Sequence, residues 1–323
     1  MEEIGSIAEK LAVLISAGVS PASAWQVIGA SDGGFAQSVA DRTGRGTPVA
    51  KAIVESAAES ASAAAGGAAG ADEQAAWSML SAAWFVATEA GASLARCLVD
   101  ISGALRDLGA VEREVSAALA GPRATTRLVL ALPFVSLGSG MLLGLDTVQV
   151  LVASPAGWFC AGAGAVLVLL GRAWSRWLLR RGSRRDHAPG LALDLVAVAV
   201  AGGGSADAAV VLVEEALRRY SPVRQRGTAA RAPRRAEADQ EQRQIASVLS
   251  LAALAGAPPA QLLRAEAVRL RRDAIGAASE RAASLGVQLM LPLGLCVLPA
   301  FLLLSVAPVL LGVLRSTSLI DAG

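Results

Sequence analysis

Leu285–Leu314 reads LGVQLMLPLGLCVLPAFLLLSVAPVLLGVL, and no charge falls between Arg281 and Arg315. As one helix it would extend about 45 Å at 1.5 Å per residue, overshooting the roughly 30 Å hydrocarbon core of a bilayer. The stretch predicts a membrane span that tilts, kinks at Pro292, Pro299 or Pro308, or begins in the cytoplasm. Two more apolar stretches lie upstream. Leu128–Leu145 (LVLALPFVSLGSGMLLGL) is bracketed by Arg127 and Asp146. Its length gives about 27 Å of helix, close to the hydrocarbon thickness. The other runs from about Val148 to Gly171, with Trp158 near one end and Trp174 and Trp177 near the other. Indoles in those places suit the interfacial belts of a bilayer.

Composition agrees. Of the 323 residues 54% are hydrophobic and 17% charged, and the mean hydropathy is +0.51. Disorder is excluded, because it needs low hydrophobicity and high net charge. With aromatics at 4%, the apolar mass is Ala, Leu and Val, which favours helices. A net charge of +2 gives no global field for nucleic acid. The lysines are Lys10 and Lys51, neither after a glycine, so no P-loop is encoded. The single histidine, His187, rules out HExxH zinc sites, and we assign it no role. Cys97, Cys160 and Cys296 form no CxxC pair and read as buried apolar thiols. No cofactor or metal is expected.

Arginine sets the orientation. None lies between Arg127 and Arg172, whereas Arg123, Arg127, Arg172, Arg176, Arg180, Arg181, Arg184 and Arg185 flank the hairpin on the other side. The positive-inside rule places those arginines in the cytoplasm and the Asp146 turn outside. MEEIGSIAEK opens acidic and is not a signal peptide, so the first 120-odd residues are expected to be cytoplasmic and the tail 315–323 extracytoplasmic. The span interiors carry no ionisable residue, unlike most transporters and channels. They carry small residues instead: Gly140 and Gly144 in the first span, Gly157, Ala161 and Ala165 in the second. Such spacing lets helices approach closely, although an Ala/Gly-rich composition also scatters such pairs by chance.

The remaining sequence forms two halves, 1–125 and 183–284, which echo each other. LAVLISAGVSPASAWQVI (Leu11–Ile28) parallels LVAVAVAGGGSADAAVVLV (Leu195–Val213), and ATEAGASLARCLVDISGALR (Ala87–Arg106) parallels AALAGAPPAQLLRAEAVRLR (Ala252–Arg271). Gly18 and Gly202 fit a helix C′ position with positive φ, and Ser20-Pro21 fits an N-cap followed by an N1 proline. Gly91 and Gly256 end helices that restart at Ser93 or Pro258-Pro259. Ile4, Ile7, Leu11, Leu14 and Ile15 recur at helical spacing, as do Leu94, Leu98, Ile101, Leu105 and Leu108. No alternating strand pattern stands out. Ser60–Asp72 and the arginine-rich Tyr220–Ala236 read as linkers. The latter is a solvated loop unless its arginines meet anionic lipid headgroups.

This arrangement resembles the type II secretion F-domain family: the inner-membrane platform proteins of type II secretion systems, type IV pili and, closest here, Tad pili. The resemblance covers nearly the whole chain and rests on tandem A-G-x-S/P-x-x-x-A helical repeats, a two-span hairpin between them and a closing span. Glu89-Ala90-Gly91-Ala92-Ser93-Leu94 looks like the family's E-x-G-x-L pattern with one residue inserted before the leucine. In the second repeat Leu254 stands where Glu89 would align, so no role of that acid carries over there. The resemblance implies an all-α integral membrane protein of the cytoplasmic membrane, with two tandem cytoplasmic helical-bundle domains (1–125 and 183–284) and three transmembrane helices. Between the domains lies a hairpin with its basic juxtamembrane segment (126–182), and after them the closing span (285–314). It further implies a non-enzymatic scaffold that meets a hexameric secretion ATPase, pilin subunits, and a sister platform protein or a second copy of itself. Two other classes compete: a small transporter or permease working as an oligomer, disfavoured by uncharged spans, and a membrane-anchored regulator or enzyme. The latter lacks a catalytic constellation, because Glu89, Glu112 and Glu114 read as surface carboxylates on helices.

Overall fold

Helix starts and stops fall where capping chemistry puts them. We describe a computed structural model over residues 2–63, 68–118, 135, 138, 155–182, 189–220, 231–288, 291 and 293–307. Among these the chain is helical apart from short turns, with no strand, as the periodicity predicts. The helices are α1 (Glu2–Ser16), α2 (Pro21–Asp32), α3 (Gly34–Gly44), α4 (Val49–Ala63), α5 (Ala68–Glu89), α6 (Leu94–Ala118), α7 (Pro155–Gly182), α8 (Leu191–Ala201), α9 (Ala206–Tyr220), α10 (Arg231–Ala255) and α11 (Pro259–Gln288). A closing segment follows: a π-helical turn (Leu293–Val297), α12 (Leu298–Phe301) and a second π-helical turn (Leu302–Val306). The two wide turns flank Pro299. A proline there has no N–H to give the carbonyl four residues back, and a wider ladder accommodates its ring.

Two compact units result. One takes Met1–Glu112 with Asp186–Ile275; the other takes Arg113–Arg185 with Gly276–Gly323. In the first unit, helices of both sequence repeats enter a single core. Leu11, Trp25, Leu80, Val86, Leu98 and Leu105 come from one repeat, Leu193, Leu195, Val196 and Leu263 from the other. Each such side chain, fully buried, contributes about 1.5–3 kcal/mol. Trp25 and Trp84 lie with ring centroids 6.3 Å apart, and Phe35 stacks on Trp77 at 3.7 Å. Alanine, the best helix former, carries helices into segments that read as linkers: α4 runs to Ala63, α5 begins at Ala68, and α10 begins at Arg231. The linkers Ser60–Asp72 and Tyr220–Ala236 are therefore partly helical.

In the second unit, Trp158–Ser175 of α7 is long and apolar enough to cross a membrane. That window overlaps the expected stretch from Val148 to Gly171, whose residues before Pro155 lie outside those described, and takes in Arg172 near its end. Trp158, Phe159, Val166, Leu169, Leu170 and Trp177 are exposed on α7. On the opposite side Gly164 and Gly171 are buried, and the closing segment, with Cys296 and Ala300 buried, packs against α7. Ala165, expected on a packing face, is exposed. Leu128–Leu145 apart from 135 and 138, with Gly140 and Gly144, the Asp146 turn, His187 and the tail fall outside the described residues, as do the surroundings of Gly157 and Ala161.

Candidate functional site

Four helix-to-helix elbows organise the first unit, and three share one backbone solution. Beyond α1, Val19 N–H donates to Leu14 C=O; beyond α5, Ala92 N–H to Ala87 C=O; beyond α10, Ala257 N–H to Ala252 C=O. Each is the long bond of a Schellman motif, and Gly18, Gly91 and Gly256 hold the left-handed position at φ +90°, +65° and +62°. A new helix starts at once. Ser20 Oγ accepts the N–H of Ser23 ahead of Pro21, and Ser205 Oγ accepts that of Ala208. Gly256 restarts through Pro258, and α11 opens on Pro259.

The α8/α9 elbow corrects the reading of Gly202. Its φ is −75°; the positive φ, +96°, belongs to Gly203. Gly202 needs to be glycine for another reason: a methyl group there would fall 2.1 Å from the Ala90 carbonyl oxygen. The Glu89–Leu94 elbow thus seats its backbone directly on the α8/α9 elbow. Glu89 itself is the last residue of α5 and exposed, while Leu94 opens α6 half-buried.

Moving the match by one residue, from Gly202 to Gly203, aligns the repeats and brings out ion pairs that sequence reading missed. Glu9 stands nine residues before Gly18, and Asp194 nine before Gly203; Arg106 stands fifteen after Gly91, and Arg271 fifteen after Gly256. Both acid–arginine pairs form. Arg106 donates to Glu9 at 3.1 Å with both side chains about half exposed, whereas Arg271 donates to Asp194 with both buried. The helix crossing behind them repeats too. Four residues before each acid is a glycine, and four before each arginine a small residue, and these meet. A methyl on Gly5 would lie 3.4 Å from the Ser102 carbonyl oxygen, and one on Gly190 would lie 2.9 Å from that of Ala267. Asp100 adds a bond between the repeats, accepting from Arg264 Nε at 3.1 Å.

Burial governs the chemistry of this junction. It pushes the Asp194 carboxyl up, against the pull of the Arg271 guanidinium, whose Nε is buried without a hydrogen-bond partner. It pushes the Cys97 thiol up to about 12, with Asp100 and Asp194 adding to the effect. Such a thiol is protonated and inert at neutral pH. Among the described residues no group of three or more His, Cys, Asp or Glu side chains is placed to hold a metal. The arrangement is suited to holding helices in register.

Compared with protein-family models, curated proteins and solved structures, the chain matches none.

Proposed function

We propose that this chain is the inner-membrane platform of a type II secretion or Tad-type pilus machine, coupling a cytoplasmic ATPase to pilin polymerisation. The observation that carries the reading is a helical module built twice in one core, together with a second unit whose α7 exposes apolar side chains along a span-length helix. In this reading α7 and the closing segment cross the bilayer together with Leu128–Leu145, and the duplicated module lies in the cytoplasm. The module receives movement from a partner ATPase and passes it to the spans as rigid-body displacement of packed helices. The buried Asp194–Arg271 pair and the glycine-tight crossings support this, because a transmitting body must not deform. A sequence without a P-loop leaves ATP hydrolysis to the partner.

Deleting the chain tests the proposal. Surface filaments should vanish while pilin stays in the membrane and the ATPase stays intact, and the purified chain should hydrolyse no ATP. Filaments that still form in a strain without a second platform gene would refute it.

A further inference from the structure

The contact between the repeats is made head to tail, and that leaves half of it unused. Inside the chain, the α5/α6 elbow of the first repeat receives the α8/α9 elbow of the second: Ala90 meets Gly202, Val86 is fully buried and Val198 is 3% exposed. Among the described residues, the equivalent surfaces at the two ends of the module are exposed. In the first repeat, Ala17 corresponds to Gly202 and Val13 to Val198; Ala17 is exposed, and Val13 is 62% exposed. In the second, Ala255 corresponds to Ala90 and Leu251 to Val86; Ala255 is exposed, and Leu251 is 56% exposed. Leu254, at the place of Glu89, is 88% exposed.

We infer that a second copy of this chain docks its α1/α2 elbow on the α10/α11 elbow of the first, repeating between molecules the junction made once within each. A head-to-tail contact of this kind is heterologous: every molecule keeps one donor and one acceptor face, and copies add until a ring closes or a filament grows. The occupant is chosen by the fold itself, since the only elbow known to fit an α5/α6-type surface is an α8/α9-type surface, and α1/α2 is its counterpart. The copy is not a perfect one. Ala17 carries the methyl that Gly202 lacks, so the two elbows stand farther apart, and the larger apolar side chains Leu251 and Leu254 replace Val86 and Glu89 across that wider gap. The contact does not depend on which filament, if any, the assembly serves.

Disulfide trapping tests it in the full chain in detergent, with Cys97, Cys160 and Cys296 replaced by alanine. A Cβ on Gly202 would lie 3.1 Å from the Ala90 Cβ. The wider approach required by Ala17 brings the corresponding pair toward the roughly 3.5–4.5 Å of a disulfide. Mixing Ala17→Cys chains with Ala255→Cys chains under mild oxidation should give a covalent dimer of twice 32.6 kDa, and a chain bearing both substitutions should give a ladder. Adding Leu254→Asp, whose side chain is too exposed to matter to the fold, should lower dimer yield about tenfold while the helical circular dichroism stays unchanged. The inference is overturned if the mixture gives no dimer, as when a protein of different sequence occupies this face. It is equally overturned if either single variant dimerises by itself as well as the mixture does, or if Leu254→Asp leaves the yield unaltered.

Discussion

Asp194→Leu and Glu9→Leu delete the same charge from the same place in two copies of one contact, yet they should differ severalfold in cost. Losing Asp194 strands the Arg271 guanidinium in a buried site, a change worth about 3–5 kcal/mol, whereas the half-exposed Glu9–Arg106 pair is worth about 1 kcal/mol or less. Thermal unfolding of the full chain in detergent should show a clear fall in midpoint for the first and almost none for the second. Combining Asp194→Leu with Arg271→Met should recover most of the loss. Equal midpoints for the two single variants would mean that the burial is not felt. Cys97 supplies a second measurement at this scale. Its thiol should resist maleimide at pH 8 until the chain is unfolded, because it is buried and held protonated to about 12. The unfolded thiol ionises near 9 while the folded one keeps its proton, so Cys97 draws stability down as pH rises above about 9. Cys97→Ala should flatten that alkaline decline.

At the scale of the elements, three glycines separate two kinds of constraint. Gly203→Ala strains a left-handed residue in open space, at a cost of about 1–2 kcal/mol. Gly202→Ala keeps a favourable φ but drives a methyl into the Ala90 backbone, and Gly190→Ala does both, at φ +80° and 2.9 Å from Ala267. Unfolding midpoints should therefore fall least for Gly203→Ala and most for Gly190→Ala. On α7 the same logic separates Gly171→Leu, which forces a large side chain into a buried position, from Ala165→Leu, which is tolerated on an exposed face. A cysteine scan of α7 reporting protection at position 165 and exposure at 171 would reverse that assignment. Sequence reading found the helices and most of their ends, because Gly followed by Ser or Pro encodes a stop and a restart locally. It missed the register of the second repeat. In Ala201-Gly202-Gly203-Gly204 any glycine accepts a positive φ, and only the approach of Ala90, distant in sequence, decides between them. With the register off by one, the matching of Glu9 with Asp194 and Arg106 with Arg271 was invisible. The buried side of α7 was not legible for a related reason: in a run as small as Ala161-Gly162-Ala163-Gly164-Ala165 composition carries no periodic signal.

For the whole molecule, the proposed orientation predicts where a membrane-impermeant maleimide reaches. In a background free of native thiols, Thr147→Cys and Ser318→Cys should label in intact cells and Ser31→Cys should not; the opposite pattern would invert the topology. The two matching ion pairs also differ in how freely they can vary. An exposed ion pair can lose one member and later the other, because each intermediate survives, so the Glu9–Arg106 contact is free to drift. The Asp194–Arg271 contact is not, since either single loss leaves a buried charge unmatched. The two matching contacts thus face opposite evolutionary regimes. Among homologues, the first pair should vary one side at a time, and the second should persist or be exchanged for an apolar pair in a single correlated step.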